Sequence, residues 1–290
     1  MNIKESELIL NPDGSVYHLN LKPENIANTI LFVGDQGRVE KITKHFDTIE
    51  FKTQKREFKT QTGTYKGKRL TVISTGIGPD NIDIVMNELD ALVNIDLETR
   101  KAKPVQTALN IIRVGTSGSL QADIPVDSFV MGSHGLDLTG LLHFYQIDQF
   151  THPEIEDAFK SHTQWYSRKA DPLIISNSSF LEKHFASAQT FIGITGTAIG
   201  FYGPQGRVLR LPVQNPELNH KMDTFNFKGM RITNLEMETS AIYGLSKLLG
   251  HHALSLNAII ANRANGTFSK NPHAAIENLI QYTLQKVITL

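Results

Sequence analysis

The sequence predicts an α/β layer fold around a mainly parallel or mixed sheet, organised as one domain over residues 1–290. Short apolar, β-branched runs recur along the chain and read as strands buried on both faces. Helical patterns lie between several of them, the alternation that builds layered α/β folds. No fixed-period repeat, low-complexity tract or Pro/Gly/Ser linker interrupts the 290 residues, which are enough to bury a substantial core.

In chain order the strand candidates are TILFV (29–33), LTVIS (70–74), ALNIIRV (108–114), SFVMGS (128–133), FIGIT (191–195), RITNL (231–235) and LSLNAIIA (254–261). The helix candidates are NIDIVMNELDALVN (81–94), TSAIYGLSKLLGHH (239–252) and AAIENLIQYTLQKVI (274–288). Two polar, Pro-containing stretches, 96–107 and 213–228, read as surface excursions.

Composition narrows the function classes. Lys plus Arg equals Asp plus Glu at 29 each, so no long-range basic field exists to hold a polyanion, and no nucleic-acid partner is expected. The chain has no Cys, which excludes disulfides, thiolate metal sites and a cysteine nucleophile. The opening MNIKESELIL lacks the regions of a signal peptide, and no run approaches the ~18 apolar residues of a membrane span. A cytoplasmic protein with no membrane partner is the expectation. The triplets NSS at 177 and NGT at 265 are then chance matches to a glycosylation signal.

Chemistry collects where predicted strands end. VGDQGR places Gly34, Gly37 and Arg38 after the first strand. RVGTSG places Arg113 on the third, with Gly115, Thr116, Ser117 and Gly118 expected in the following turn. Small residues let backbone N–H groups approach an anion, and an arginine fork matches phosphate oxygens. A Gly-rich βα turn is also often only a turn. Neither stretch matches G-x-G-x-x-G, and no Lys-Ser/Thr follows, which disfavours a dehydrogenase and an NTPase. In TNLEMETSAIYGL, Glu236 and Glu238 flank Met237 as strand gives way to helix. Two readings stand side by side: carboxylates that accept from the hydroxyls of a ribose resting on the thioether, or carboxylates that cap a helix around a core methionine.

ILFVGDQGRVEKI, STGIG, IIRVGTSGSLQADIPVDSFV and NLEMETSAIYGL, in that order and at suitable spacing, resemble the nucleoside phosphorylases of the purine and uridine phosphorylase superfamily. The likeness runs from about His18 to the C-terminus. It implies a three-layer α/β/α fold on a central mixed sheet. GFYGPQGR (200–207) resembles the loop by which uridine phosphorylases recognise uracil, so the expected activity is reversible phosphorolysis of uridine to uracil and ribose 1-phosphate.

Carried over residue by residue, the resemblance implies a phosphate site of Gly34, Arg38, Arg113 and Thr116, completed by Arg56 of a neighbouring subunit. Met237 and Glu238 would hold the ribose, with Glu236 nearby and His18 reaching across a dimer interface; residues 1–22 are the segment expected to serve that interface. Phe201, Gln205, Arg207 and Arg263 are the base-binding candidates, and Arg38, Arg113, Thr116 and Glu238 carry the catalytic expectation. The Gln205 amide suits the O4 and N3–H edge of uracil. Inorganic phosphate is the co-substrate and no cofactor is required; a structural K+ near Glu57 and Ser74 is implied by some relatives. The partners implied are a small nucleoside, phosphate and further copies of the chain, in a dimer or a hexamer.

One departure touches the site: GIGPDN at 76–81 stands where the family usually has GIGGPS, short of a glycine and a hydroxyl. The position at which purine-cleaving relatives often carry Asp holds Asn262, followed by Arg263, which favours a pyrimidine. The alternatives are a purine nucleoside phosphorylase, a nucleosidase of the same fold, and a nucleoside-binding protein without catalysis.

Overall fold

The computed structural model describes residues 2–290. In chain order the elements are β1 (Thr29–Val33), α1 (Gln36–Thr43), β2 (Thr48–Lys55), β3 (Phe58–Tyr65), β4 (Lys68–Ser74), α2 (Pro79–Asn94), β5 (Ile95–Asp96), β6 (Lys101–Ala102), β7 (Asn110–Ser119) and β8 (Phe129–Asp137). They continue with α3 (Pro153–Thr163), β9 (Leu173–Ser176), α4 (Ser179–Phe185), β10 (Thr190–Thr197), α5 (Leu218–Thr224), β11 (Asn226–Phe227), β12 (Met230–Glu236), α6 (Thr239–Leu249), β13 (His252–Asn262), β14 (Thr267–Phe268) and α7 (Pro272–Val287).

Alternation along β1 shows why the sheet is covered on both faces. Ile30 and Phe32 point into a core shared with Val85, Leu89 and Tyr243 of α2 and α6. Leu31 and Val33, pointing the other way, join Val39, Leu279 and Leu284 of α1 and α7. Successive strand side chains face opposite sides, so a five-residue apolar strand needs partners on both. A third cluster, with Phe159, Met222 and Phe225, packs α3 and α5 against Leu136, Ile194 and Ile232 of β8, β10 and β12.

The sheet is mixed, in the order β11-β12-β10-β8-β13-β7-β1-β4-β3-β2. It also closes on itself. β7 runs parallel to β1 and β13, and its last residues pair antiparallel with β12, Gly118 opposite Leu235. With β8 pairing both β10 and β13, five strands form a ring, and the carboxyl ends of β1, β7 and β12 are drawn together at one side of it.

Three sequence expectations are corrected here. Residues 115–118 continue strand β7 instead of turning. The hairpin β2–β3 was invisible to an apolar-run reading, because β2 (TIEFKTQK) is an edge strand that alternates exposed and half-buried residues. The excursions at 96–107 and 213–228 contain elements, the small β5–β6 ladder in the first and α5 with β11 in the second.

Candidate active site

The carboxyl ends of β1, β7, β12 and β13 enclose a cavity of about 280 Å³. Ten sequence-predicted residues line it: Gly34, Arg38, Arg113, Thr116, Phe201, Gln205, Arg207, Glu236, Met237 and Glu238. Ligands in open α/β sheets gather at such strand ends.

Arg113 lies at the centre. Its side chain is buried, and its Nη1 donates to Asn257 Oδ1 (2.7 Å) while Nη2 meets Glu238 Oε2 (2.5 Å) and Glu236 Oε2 (3.2 Å). Gly115 makes this possible: a Cβ there would stand 1.8 Å from Arg113 Nη1 and 2.8 Å from Asn257 Oδ1. The glycine that looks like a turn residue is therefore an open slot beside the strand. Burial works against the guanidinium charge, and Glu236 and Glu238 more than offset it, holding the group above the ordinary arginine range.

The two glutamates have different tasks. Glu236, the last residue of β12, accepts from the backbone N–H groups of Glu238 (2.9 Å) and Thr239 (3.0 Å) and from Thr197 Oγ1 (2.8 Å). Both its oxygens are engaged inside the protein, where it caps α6 and neutralises Arg113. Glu238, buried at the N-cap of α6, makes no side-chain cap bond; it accepts from Gly78 N–H (2.8 Å) and Arg113. Burial raises its carboxyl above the usual carboxylate range, with Arg113 opposing and Glu236 adding to the rise. The altered GIGPDN turn still delivers a backbone donor to Glu238: Gly78 adopts φ 103, a glycine conformation, and Pro79 opens α2.

Arg38 enters from α1. Its Nη1 donates to Val114 O (3.1 Å), and its buried Nε has no acceptor among the described residues. Burial first, and the neighbouring Arg113 second, lower its affinity for a proton. Two buried guanidiniums side by side favour an anion between them.

The other end of the cavity is built on the turn after β10. Arg207 stacks on the Phe201 ring, its guanidinium carbon 3.8 Å from the centroid, and donates to Phe201 O (2.6 Å) and Gln205 Oε1 (2.7 Å). Gln205 is buried. Arg263 sits beside Arg207 without lining the cavity, its proton affinity pushed down to about 10 by burial and by Arg207. Asn262 is committed elsewhere, donating to Gln121 O (2.9 Å) and Ile124 O (2.8 Å). Beyond this wall a second, apolar cavity of about 820 Å³ shares Arg207.

Besides Arg263, four candidates stand apart from the cavity: His18, Arg56, Glu57 and Ser74. His18 is fastened to α2, with Nδ1 2.6 Å from Glu88 Oε1 and its N–H donating to the same carboxylate (2.9 Å). Arg56 is exposed at the β2–β3 turn in a left-handed conformation, φ 54, its carbonyl accepting from Gln36 Nε2 (2.8 Å). Ser74 Oγ is occupied by Glu57 O (2.6 Å) and the N–H of Lys59 (2.8 Å). Among the described residues no group of three or more His, Asp or Glu side chains is placed to hold a metal ion. No helix is long and apolar enough to cross a membrane.

Sequence reading missed Asn257 and the apolar wall of Ile77, Ile260 and Phe268. Asn257 carries a signal in hindsight: it is the polar residue within LSLNAIIA, and in register it lies opposite Gly115.

The sequence profile of the phosphorylase superfamily matches residues 28–288. The chain belongs to that superfamily. Among its relatives, a uridine phosphorylase of Thermococcus kodakarensis is 28% identical over 264 residues, 89% of this chain and 81% of that protein. A DeoD-type purine nucleoside phosphorylase of Clostridium perfringens is 28% identical over 278 residues, 94% of this chain and 99% of that protein. Among solved structures, a Trypanosoma brucei nucleoside phosphorylase with uridine phosphorylase activity superposes with a TM-score of 0.88 at 29% identity, over 98% of this chain and 100% of that one. Superfamily membership agrees with the architecture above, and the sequence relatives divide between two base classes at equal identity.

The division of tasks between the glutamates has a measurable consequence. Glu236→Gln weakens the bonds from Thr197 and from the two backbone N–H groups at the start of α6 as well as the pairing with Arg113, so the protein's unfolding free energy should fall by about 1–3 kcal/mol. Glu238→Gln should melt closer to wild type and lose the greater part of turnover. Thermal or urea denaturation beside a rate assay checks this, and equal stability losses in the two variants would contradict it.

Proposed function

We propose that the chain catalyses reversible, phosphate-dependent cleavage of uridine to uracil and ribose 1-phosphate. The observation that carries this reading is the pairing of Gln205 with Arg207 at one end of a cavity whose other end holds Arg38, Arg113 and Glu238. The solved relative with uridine phosphorylase activity, at 29% identity over nearly the whole chain, supports it.

Phosphate would lie against Arg38, Arg113, Thr116 and the Gly34 turn, on one face of the sugar. Glu238 would accept from ribose hydroxyls and Met237 would lie against the ring. As the glycosidic bond opens, positive charge develops on the sugar while negative charge grows on the uracil. Fixed charges aimed at both regions stabilise that separation without a protein nucleophile. On the base side, Gln205 Oε1 can take a second bond, from N3–H, while its amide nitrogen donates to a carbonyl; Arg207 fixes that orientation and meets the growing charge. The purine alternative calls for a proton donor towards N7. Asn262 cannot serve, since both its donor hydrogens are spent on backbone carbonyls.

His18 and Arg56 fit this reading as residues that serve a second copy of the chain. Ile77 and Phe201 line the cavity and are 67% and 52% exposed, apolar surface of the kind a partner covers. The left-handed backbone at Arg56 holds that side chain outward at a tight turn.

Base choice is tested with uridine, cytidine and inosine, each with and without phosphate. Gln205→Leu should lower kcat/KM for uridine by about 10²-fold, roughly 3 kcal/mol of transition-state binding, with little change in phosphate KM. A wild-type preference for inosine, full uridine activity in the variant, or turnover without phosphate would each overturn the assignment.

Shared sites are tested by mixing two poorly active proteins, Arg56→Ala and Arg113→Ala. Subunit exchange should raise activity above either parent, because some hybrid sites regain both arginines. If subunits exchange and activity does not rise, Arg56 serves no neighbouring site.

A further inference from the structure

A smaller cavity lies at the far end of the molecule from the one just described. The end of β9, the start of α4, the end of α6 and the start of β13 enclose about 190 Å³. Ser176, Ser178, Ser246, Lys247 and His252 line it, together with Phe180, Tyr243 and Ala253. The opposite end of β13 carries Ile260 and Ala261 into the first cavity, eight residues and ~26 Å of strand away.

We propose that this cavity is a second anion site of the protein, built for a phosphate group. Ser246 is 2% exposed, and its hydroxyl has no hydrogen-bond partner among the described residues. A helical serine ordinarily donates to the carbonyl one turn back. This one makes no such bond and belongs to a residue of the cavity's lining, and a group bound there would complete it. Lys247, next to it, makes no ion pair among the described residues. His252 uses Nδ1 to meet Ser178 Oγ (3.1 Å), and its ring packs near Phe180, with the centroids 5.4 Å apart.

The nearby carboxylates are already committed. Glu182 accepts from Asn177 Nδ2 (2.6 Å), and Asp90 faces His251 Nε2 at 3.3 Å. Hydroxyl donors beside an ammonium suit a phosphate group, and the positive charge of Lys247 opposes a metal cation. The volume is that of about six water molecules at ~30 Å³ each, room for a phosphate carrying a short carbon skeleton and too little for a nucleoside. Free phosphate and a sugar phosphate offer the same recognised group. The site shares α6 with the first cavity, since Ser246 lies in the last turn of the helix whose N-cap is Glu238.

Two measurements on the full chain test this. Crystals soaked in tungstate should show a heavy-atom peak beside Ser246 and Lys247, separate from any peak beside Arg38 and Arg113. Calorimetric titration with inorganic phosphate should resolve two sites per chain in the wild type. In Ser246→Ala/Lys247→Met one of them should weaken at least tenfold, while melting temperature and uridine turnover are retained. At that Lys247-dependent site, tighter binding of ribose 5-phosphate than of phosphate identifies a sugar phosphate as occupant; the reverse order identifies free phosphate. A tungstate peak only in the Arg113 cavity, one phosphate per chain in the wild type, or two undiminished sites in the variant would overturn the proposal. Loss of uridine phosphorolysis with this second site intact would count against the catalytic reading alone.

Discussion

A guanidinium removed from water must be surrounded by acceptors, and most of the candidate site follows from meeting that requirement for Arg113. Its partners come from three directions: Asn257 across the sheet, Glu236 at the end of β12, and Glu238 at the start of α6. The bonds then close into a ring. Asn257 Nδ2 donates to Ser255 Oγ (3.2 Å), Thr239 Oγ1 donates to the same oxygen (2.8 Å), and Thr239 N–H returns to Glu236. A half-satisfied buried network is costly, whereas a closed one fixes each member's rotamer. Gly115 is the steric condition for the ring, and the closure of β7 onto β12 is the topological one.

The ring also divides the charges by function. Both glutamates line the cavity, but Glu236 also accepts from Thr197 and two backbone N–H groups, whereas Glu238 is held by Gly78 N–H and Arg113 alone. Arg38 repels Arg113 across the same space, which makes that end of the cavity receptive to an anion. At the opposite end Arg207 and Gln205 form a bonded pair backed by Phe201. Two positive ends with a carboxylate between them match a reaction in which an anionic nucleophile and an anionic leaving group flank a cationic sugar.

Much of this was legible in the sequence because the information is local. Apolar β-branched runs marked β1, β4, β12 and β13, and four ordered motifs named the cavity residues. What escaped depends on neighbours distant in sequence. RVGTSG reads as a turn because glycine is usually a turn residue; here Gly115 accommodates Arg113 and Gly118 lies against Arg263, with 3.5 Å from a would-be Cβ to Arg263 Cδ. β2 carries no apolar run, since an edge strand contributes little to the core. Glu236 and Glu238 could be separated only by counting their acceptor bonds. Asn257 looked like one polar residue within a strand, and its purpose appears only in register with Gly115.

The central claim, that this ring sets Arg113 for phosphate, is tested most directly through Asn257, which lies outside the cavity lining and acts through Arg113. Steady-state kinetics of Asn257→Leu, which keeps the side-chain size and removes the acceptor, should show phosphate KM raised about tenfold, equivalent to ~1.4 kcal/mol, with uridine KM changed far less. A folded Asn257→Leu enzyme whose phosphate KM equals that of the wild type would contradict it.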